Sequence, residues 1–267
     1  MQVQMIELTP DRARRFLSTM TKNRAVNEQR VTRMANDIRE GRWIDNGATL
    51  VIGRSGQGLD GQHRCHAVIR SQKSIQVLLV TGVDDDAFPT IDNGKPKSGA
   101  DMVKARGGMN WTAAAGCLPW VQAIRKGVMR TNIRLTNIDI DQLYGESMIT
   151  VDEAVQIALR AKTILQPSPG SALFILFAER DRDAAIKFFE DLATGAGLLP
   201  GDPVLVLREA LMRARMLSTH KHKVAAEQSV ALVIRAWNHR RQNRAVTKNL
   251  KGLTEHADGR FERPAIL

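Results

Sequence analysis

Two apolar runs, Ala48-Thr49-Leu50-Val51-Ile52 and Ile75-Gln76-Val77-Leu78-Leu79-Val80, flank a single helix-patterned segment, and that arrangement constrains the fold more than any other feature of the chain. Short runs of Val, Ile and Leu bounded by glycine and polar residues read as buried strands. Gly53-Arg54-Ser55-Gly56-Gln57-Gly58 supplies the glycines of a tight turn after the first run. From Gln62 onward, Cys65, Val68 and Ile69 fall on one helical face, so the spacing predicts a helix beginning at Gly61 or Gln62. Strand, helix, strand is the pattern of a crossover connection, which predicts an α/β or α+β sheet. Upstream, Val3-Gln4-Met5-Ile6-Glu7-Leu8 alternates as a first strand. Thr9 and Pro10 then cap and open a helix to about Met20, and Asn27 caps a second one with Val31, Met34, Ala35 and Ile38 at helical spacing, ended by Gly41.

The segment Leu59-Asp60-Gly61-Gln62-His63-Arg64 sits at the entrance of the central helix. A glycine there leaves backbone N–H groups unsatisfied, and the helix dipole favours an anion beside them. Arg64 in the first turn adds a planar cation suited to phosphate. Asp60 is placed to hold a metal ion or to act as a base. The same residues also fit a plain structural reading, with Asp60 as an N-cap and Arg64 as half of a surface ion pair.

Asp60-Gly61-Gln62-His63-Arg64 in this strand–turn–helix context resembles the signature of the ParB/sulfiredoxin-like superfamily. ParB-type partition proteins carry Gly-Glu-Arg-Arg at this place, sulfiredoxins Gly-Cys-His-Arg, and free-serine kinases Asp-Gly-His-His-Arg. The DGQHR proteins of DNA phosphorothioation systems and many phage ParB-like proteins carry the same five letters. The resemblance extends more weakly from about Val3 to about Lys104. It implies a ParB/sulfiredoxin-like N-terminal domain with a small mixed sheet and helices. It also implies that Gly61, Gln62 and Arg64 bind phosphate, with Asp60 and His63 as catalytic candidates and Asp60 as a Mg²⁺ ligand. A nucleoside triphosphate is the implied cofactor. The sulfiredoxin cysteine position is Gln62 here, and Cys65 lies beyond the arginine, which argues against sulfinic-acid reduction.

Further candidates follow from the same resemblance. Asp45 and Asn46, just ahead of the strand at 48–52, correspond to residues that wall the nucleotide site; read alone, Asn46-Gly47 forms an Asx-type turn. Asp92, Lys95 and Lys97 match an Asp-x-Gly-Lys/Arg-x-Lys/Arg segment of phage ParB-like proteins and are carried over as supporting or substrate contacts. The Gly-Lys-Ser/Thr sequence of a Walker A loop is missing. Asp84-Asp85-Asp86 reads as the cap of a following helix, with a metal as the alternative.

Beyond Arg106-Gly107-Gly108-Met109-Asn110 the chain reads as helical, so the expected domains are 1–106 and a basic helical 107–267. Helical spacing covers 111–127, 138–146, 151–164, 171–193, 204–219 and 223–243, with breaks at Gly145, Pro167-Ser168-Pro169-Gly170 and Gly195 through Gly201. Arg208, Arg215, Arg235, Arg240, Arg241 and Arg244 belong to a run whose only carboxylates between 203 and 254 are Glu209 and Glu227. Such one-sign bias suits backbone-phosphate contact. Trp237 reads as core, with base stacking as the alternative.

The net charge of +11 favours an anionic partner, nucleic acid first, and the low aromatic content of 4% argues against extended base-stacking platforms. Two cysteines build neither a disulfide framework nor a zinc site. No stretch reads as a signal peptide or a membrane span, so the expected location is the cytoplasm of a bacterium or phage-infected host. The resemblance leads to two classes of function. One is a phosphotransferase or phosphodiester-acting enzyme linked to phage or mobile-element DNA modification. The other is a non-catalytic, nucleotide-gated DNA-binding regulator.

Overall fold

The computed structural model describes residues 1–21, 25–91, 97–216, 226–257 and 261–267, which divide into two units, Met1–Pro96 and Lys97–Leu267. The protein is α+β, with one small mixed sheet of four strands and a majority of helix.

In the first unit, β1 (Gln2–Leu8) leads to α1 (Pro10–Ser18), where the Thr9 hydroxyl accepts from the Arg12 N–H at 3.2 Å and Pro10 takes the first turn. Helix α2 (Glu28–Arg39) is capped by Asn27, whose side chain accepts from the Arg30 N–H at 3.0 Å, and Gly41 follows its end with φ +75°. These starts and stops are the ones the capping residues predict. Next come β2 (Thr49–Gly53), β3 (Gly58–Asp60), α3 (Gln62–Ser71) and β4 (Ile75–Val83), in the spatial order β1-β4-β2-β3. β2 and β4 pair in parallel across α3, which is the expected crossover, and β1–β4 and β2–β3 are antiparallel. Alternation sends Ile6, Leu8, Leu50, Ile52, Ile75, Val77 and Leu79 to one face, where they pack with Phe16, Ala35, Ile38, Cys65 and Val68. Strand β3 was not expected: three residues, one of them glycine, are too short to show a period of two.

In the second unit, α4 (Gly99–Ala105) opens with a capping box formed by Ser98 and Asp101. The division between units therefore falls after Pro96, not after Arg106. Val103 of α4 is buried in the helical core, and the Gly107-Gly108 turn lies within the unit. Gly107 has φ +80°, and a Cβ on Gly108 would overlap Tyr144. These glycines thus serve a tight helix–helix turn and mark no linker.

The bundle continues with α5 (Trp111–Arg125), α6 (Asn137–Arg160), α7 (Pro167–Ala178), α8 (Arg182–Thr194), α9 (Pro203–Met216) and α10 (Ala226–Arg241), then the hairpin β5 (Thr254–Glu255) and β6 (Phe261–Glu262). Helix α7 is apolar and buried from Pro169 to Phe177, and a helix apolar all round belongs at the centre of a bundle. Phe177 stacks on Trp237 with centroids 4.2 Å apart, Phe188 and Phe189 close around it edge-on or tilted, and Phe174 meets Phe189 edge-on. Trp237 is therefore core, and its indole N–H donates to the Leu267 carbonyl at 3.0 Å.

The helix boundaries differ from expectation at three places. Pro167 starts α7 at its first position, where its missing N–H leaves no intrahelical bond unmade. The expected helix 171–193 is two helices, because Asp181 caps α8 by accepting from Ala184 N–H at 3.1 Å. The break expected at Gly145 lies two residues on, where two helical stretches of α6 join across a kink at Ser147, with φ −132°. Among the described residues no helix is long and apolar enough to cross a membrane.

Replacing Phe177 with Ala is expected to cost about 3–5 kcal/mol, as truncation of a well-packed aromatic does. Urea denaturation followed by circular dichroism measures it, and a loss below about 1 kcal/mol would contradict the central place given to this ring.

Candidate functional site

Where β3 passes into α3, the chain turns on Gly61 at φ +119° and ψ 0°, a conformation that residues with a Cβ avoid. A Cβ here would also overlap Leu50 of β2, so the helix entrance sits directly on the sheet. The Gly61 carbonyl accepts the first helical bond, from Cys65 N–H at 3.0 Å. Helix α3 receives no side-chain cap from Gly61, whereas Thr9, Asn27 and Asp84 cap the other three helical segments among the described residues of this unit. Gly61 itself offers no side-chain cap to the first turn, and a helix start of this kind favours an anion.

Arg64 points back across this entrance. Its Nη2 donates to Asp60 Oδ2 at 2.7 Å and also to the Thr49 carbonyl of β2, so one guanidinium joins α3, β3 and β2. The side chains of Arg64 and Asp60 are 17% and 29% exposed, so the pair is sheltered and still reachable. The Arg64 Nε is buried and has no acceptor. Asp60 is neither an N-cap nor an isolated carboxylate; it is the counter-ion of Arg64, four residues on. Its Oδ1 accepts no bond among the described residues. Mg²⁺ typically takes one or two carboxylates plus waters and substrate phosphates, and one unshared oxygen is what Asp60 offers. Among the described residues no group of three or more His, Cys, Asp or Glu is arranged to hold a metal.

His63 is half-buried, and its Nε2 accepts the Asn27 N–H at 3.1 Å. In that role the ring is neutral and carries its proton on Nδ1. His63 thereby fastens the start of α3 to the residue that caps α2. Gln62 is half-buried beside it. Cys65 is buried, and desolvation pushes its thiol up to about 12; Cys117 is likewise pushed up to about 12 by burial. Neither thiol has the depressed pKa of a nucleophile.

Asn46 Oδ1 accepts the Ala48 N–H at 3.0 Å, the Asx-turn geometry, and Asp45 beside it is exposed. Asp84 accepts from Asp86 N–H at 3.3 Å and so caps the 3₁₀ turn Asp85–Thr90. Asp85 takes the Ser55 N–H at 3.1 Å and its hydroxyl at 2.7 Å, clasping the β2–β3 turn. Asp92 and Lys95 lie outside the described residues. Lys97 is exposed and begins the second unit, where its carbonyl accepts from Asn137 Nδ2 at 2.7 Å.

The C-terminal arginines are largely engaged within the bundle. Arg240 pairs at 2.6 Å with Asp191, a buried carboxylate also held by Lys187 at 2.7 Å, and Arg241 pairs with Asp181 at 2.6 Å. Arg208 donates to the Leu192 carbonyl, Arg215 to that of Thr163, and Arg235 reaches Thr254 Oγ1 at 3.5 Å. Arg244 is exposed, and its side chain has no partner among the described residues. Thr49, Leu50 and Asn27 shape the site at α3 through backbone and packing contacts, which carry no signature in a linear sequence. No family model matches the chain, and neither a curated protein nor a solved structure matches it.

Two outcomes follow from this geometry. Gly61→Ala is expected to destabilise the protein by about 1–3 kcal/mol from backbone strain alone, with the Leu50 overlap adding to it, as read by thermal or urea unfolding. A maleimide near neutral pH is expected to leave both thiols of the folded chain unmodified and to label both after denaturation, as read by mass spectrometry.

Proposed function

We propose that the N-terminal unit binds a phosphate-bearing ligand at the entrance of α3, and that the chain works on nucleic acid with a nucleotide as that ligand. One observation carries the reading: a helix start without a side-chain cap, built on Gly61, has Arg64 folded over it. First-turn amides and a guanidinium together are a fitting seat for phosphate oxygens. In the free protein Asp60 occupies the guanidinium. An incoming phosphate competes with Asp60 for Arg64 and releases a carboxylate beside itself. The net charge of +11 supports nucleic acid as the larger partner. Resemblance to ParB-like and DGQHR proteins supports a setting in phage or mobile-element DNA modification, by analogy of motif only.

The catalytic form of this reading is a phosphotransferase, with phosphodiester cleavage as its variant. It is favoured by the unshared Oδ1 of Asp60, which can take Mg²⁺ or a substrate hydroxyl proton once phosphate has drawn Arg64 away. His63, engaged with Asn27, holds the helix entrance in position in this scheme. The regulatory form needs only the ligand exchange at Arg64.

Titration with ATP, CTP and GTP, with and without Mg²⁺, tests the seat. Arg64→Ala is expected to weaken nucleotide binding at least tenfold. Asp60→Asn is expected to strengthen it several-fold by removing the competing anion, and to abolish any transfer of label to plain or 5-hydroxymethylated DNA. Unchanged binding in Arg64→Ala refutes the seat. Tight binding without label transfer or strand scission selects the regulatory form.

A further inference from the structure

The sheet has one long open edge. β1 pairs with β4 on one side only, and no strand among the described residues lies on its other side. Edge strands are ordinarily defended by lysine, proline, a bulge or brevity. The opposite edge, β3, is three residues long and adjoins a register shift in β2. β1 has no such defence. Its seven residues, Gln2 to Leu8, contain no Lys, Arg, Pro or Gly in a chain with 39 Lys and Arg. Its register with β4 runs unbroken from Gln2–Thr81 to Leu8–Ile75. On the face away from the helices, Val3 and Met5 are 57% and 59% exposed, and Val80 and Leu78 stand directly opposite them on β4.

The backbone at this edge is also set for pairing. An antiparallel ladder turns the amide groups of alternate residues to opposite edges. Glu7, whose carbonyl accepts from Arg12 at 2.7 Å, shares its orientation with Val3 and Met5. Those two residues therefore present unpaired N–H and C=O groups beside exposed apolar side chains.

We propose that β1 is a self-association edge, pairing antiparallel with β1 of a second copy about a two-fold axis at Gln4. In that register Val3 lies opposite Met5 of the other copy and the reverse, so the apolar pairs repeat and the backbone groups of both residues are satisfied. The Arg12–Glu7 bond stays in place. A two-fold arrangement closes on itself and cannot grow into a fibre. The strand suits a second copy better than nucleic acid, because none of its own residues is a cation and Glu7 is its single charged side chain, with Arg12 seated on the Glu7 carbonyl at one end. One seven-residue strand from each copy makes a small interface by the standard of specific complexes, so the dimer is weak and concentration-dependent. This inference stands independently of the phosphate seat.

Sedimentation velocity of the full chain at moderate salt, across micromolar concentrations, tests it. The expected result is a reversible dimer. Met5→Pro is expected to weaken it at least tenfold, since proline at an outward-facing N–H position of an edge strand leaves the β1–β4 ladder intact. Met5→Lys keeps every backbone group and is expected to act likewise, so the reading does not hang on the proline variant folding. In Gln4→Cys the two cysteines would face each other in a non-hydrogen-bonded pair, with Cα atoms about 4.5 Å apart, within disulfide range. Mild oxidation is expected to give a covalent dimer, because Cys65 and Cys117 are buried. A chain that stays monomeric at every concentration overturns the proposal. So does a dimer that survives both Met5 substitutions, or a Gln4→Cys chain that forms no disulfide.

Discussion

The Arg64 guanidinium holds the N-terminal unit's candidate site together by reaching three places at once: its own helix, the Asp60 carboxylate at the end of β3, and the Thr49 carbonyl at the start of β2. Partial burial of both partners raises the Coulomb attraction above that of a surface pair while keeping some of the desolvation cost. A pair in that middle range is firm enough to fix the helix entrance while both side chains stay partly open to solvent. The unsatisfied Nε adds to this, because a buried donor without an acceptor raises the energy of the resting arrangement. Gly61 makes the arrangement possible, since only a residue without a Cβ lets the helix begin against Leu50.

Around this core the unit uses its charged residues to join helices. Arg70 of α3 reaches Glu28 at 2.6 Å and Thr32 at 2.8 Å on α2, and Lys73 donates to the Arg39 carbonyl at 2.7 Å. His63 accepting the Asn27 amide is one more tie between the same two helices. His63 thus has a structural duty before any chemical one. That duty accounts for its place next to the arginine without requiring proton transfer.

The helical unit shows how linear charge counting and spatial charge balance diverge. Between 203 and 254 the sequence holds two carboxylates, yet Arg240 and Arg241 are neutralised by Asp191 and Asp181, which lie outside that window on α8 and at its cap. Asp191 is 4% exposed and takes both Arg240 and Lys187, so it behaves as a buried joint between helices. The outward-facing positive charge that remains includes Arg213, Arg244, Lys248 and Lys251, a smaller set than the sequence implied.

Local chemistry was legible in the sequence because it acts over a few residues. Thr9 and Asn27 cap helices whatever surrounds them, alternation placed β1, and the apolar runs around α3 pointed to a crossover. The Asp60–Arg64 motif likewise announced a glycine-built helix entrance with an arginine beside it. Tertiary structure alone decided which partner each charge took, that Gly107-Gly108 is a turn within a unit, and that Pro167 begins a helix. It also decided that β1 lies at an edge. These outcomes depend on residues distant in the chain meeting in space, and ion pairing, close packing and strand order are set by that meeting while periodicity and capping are not.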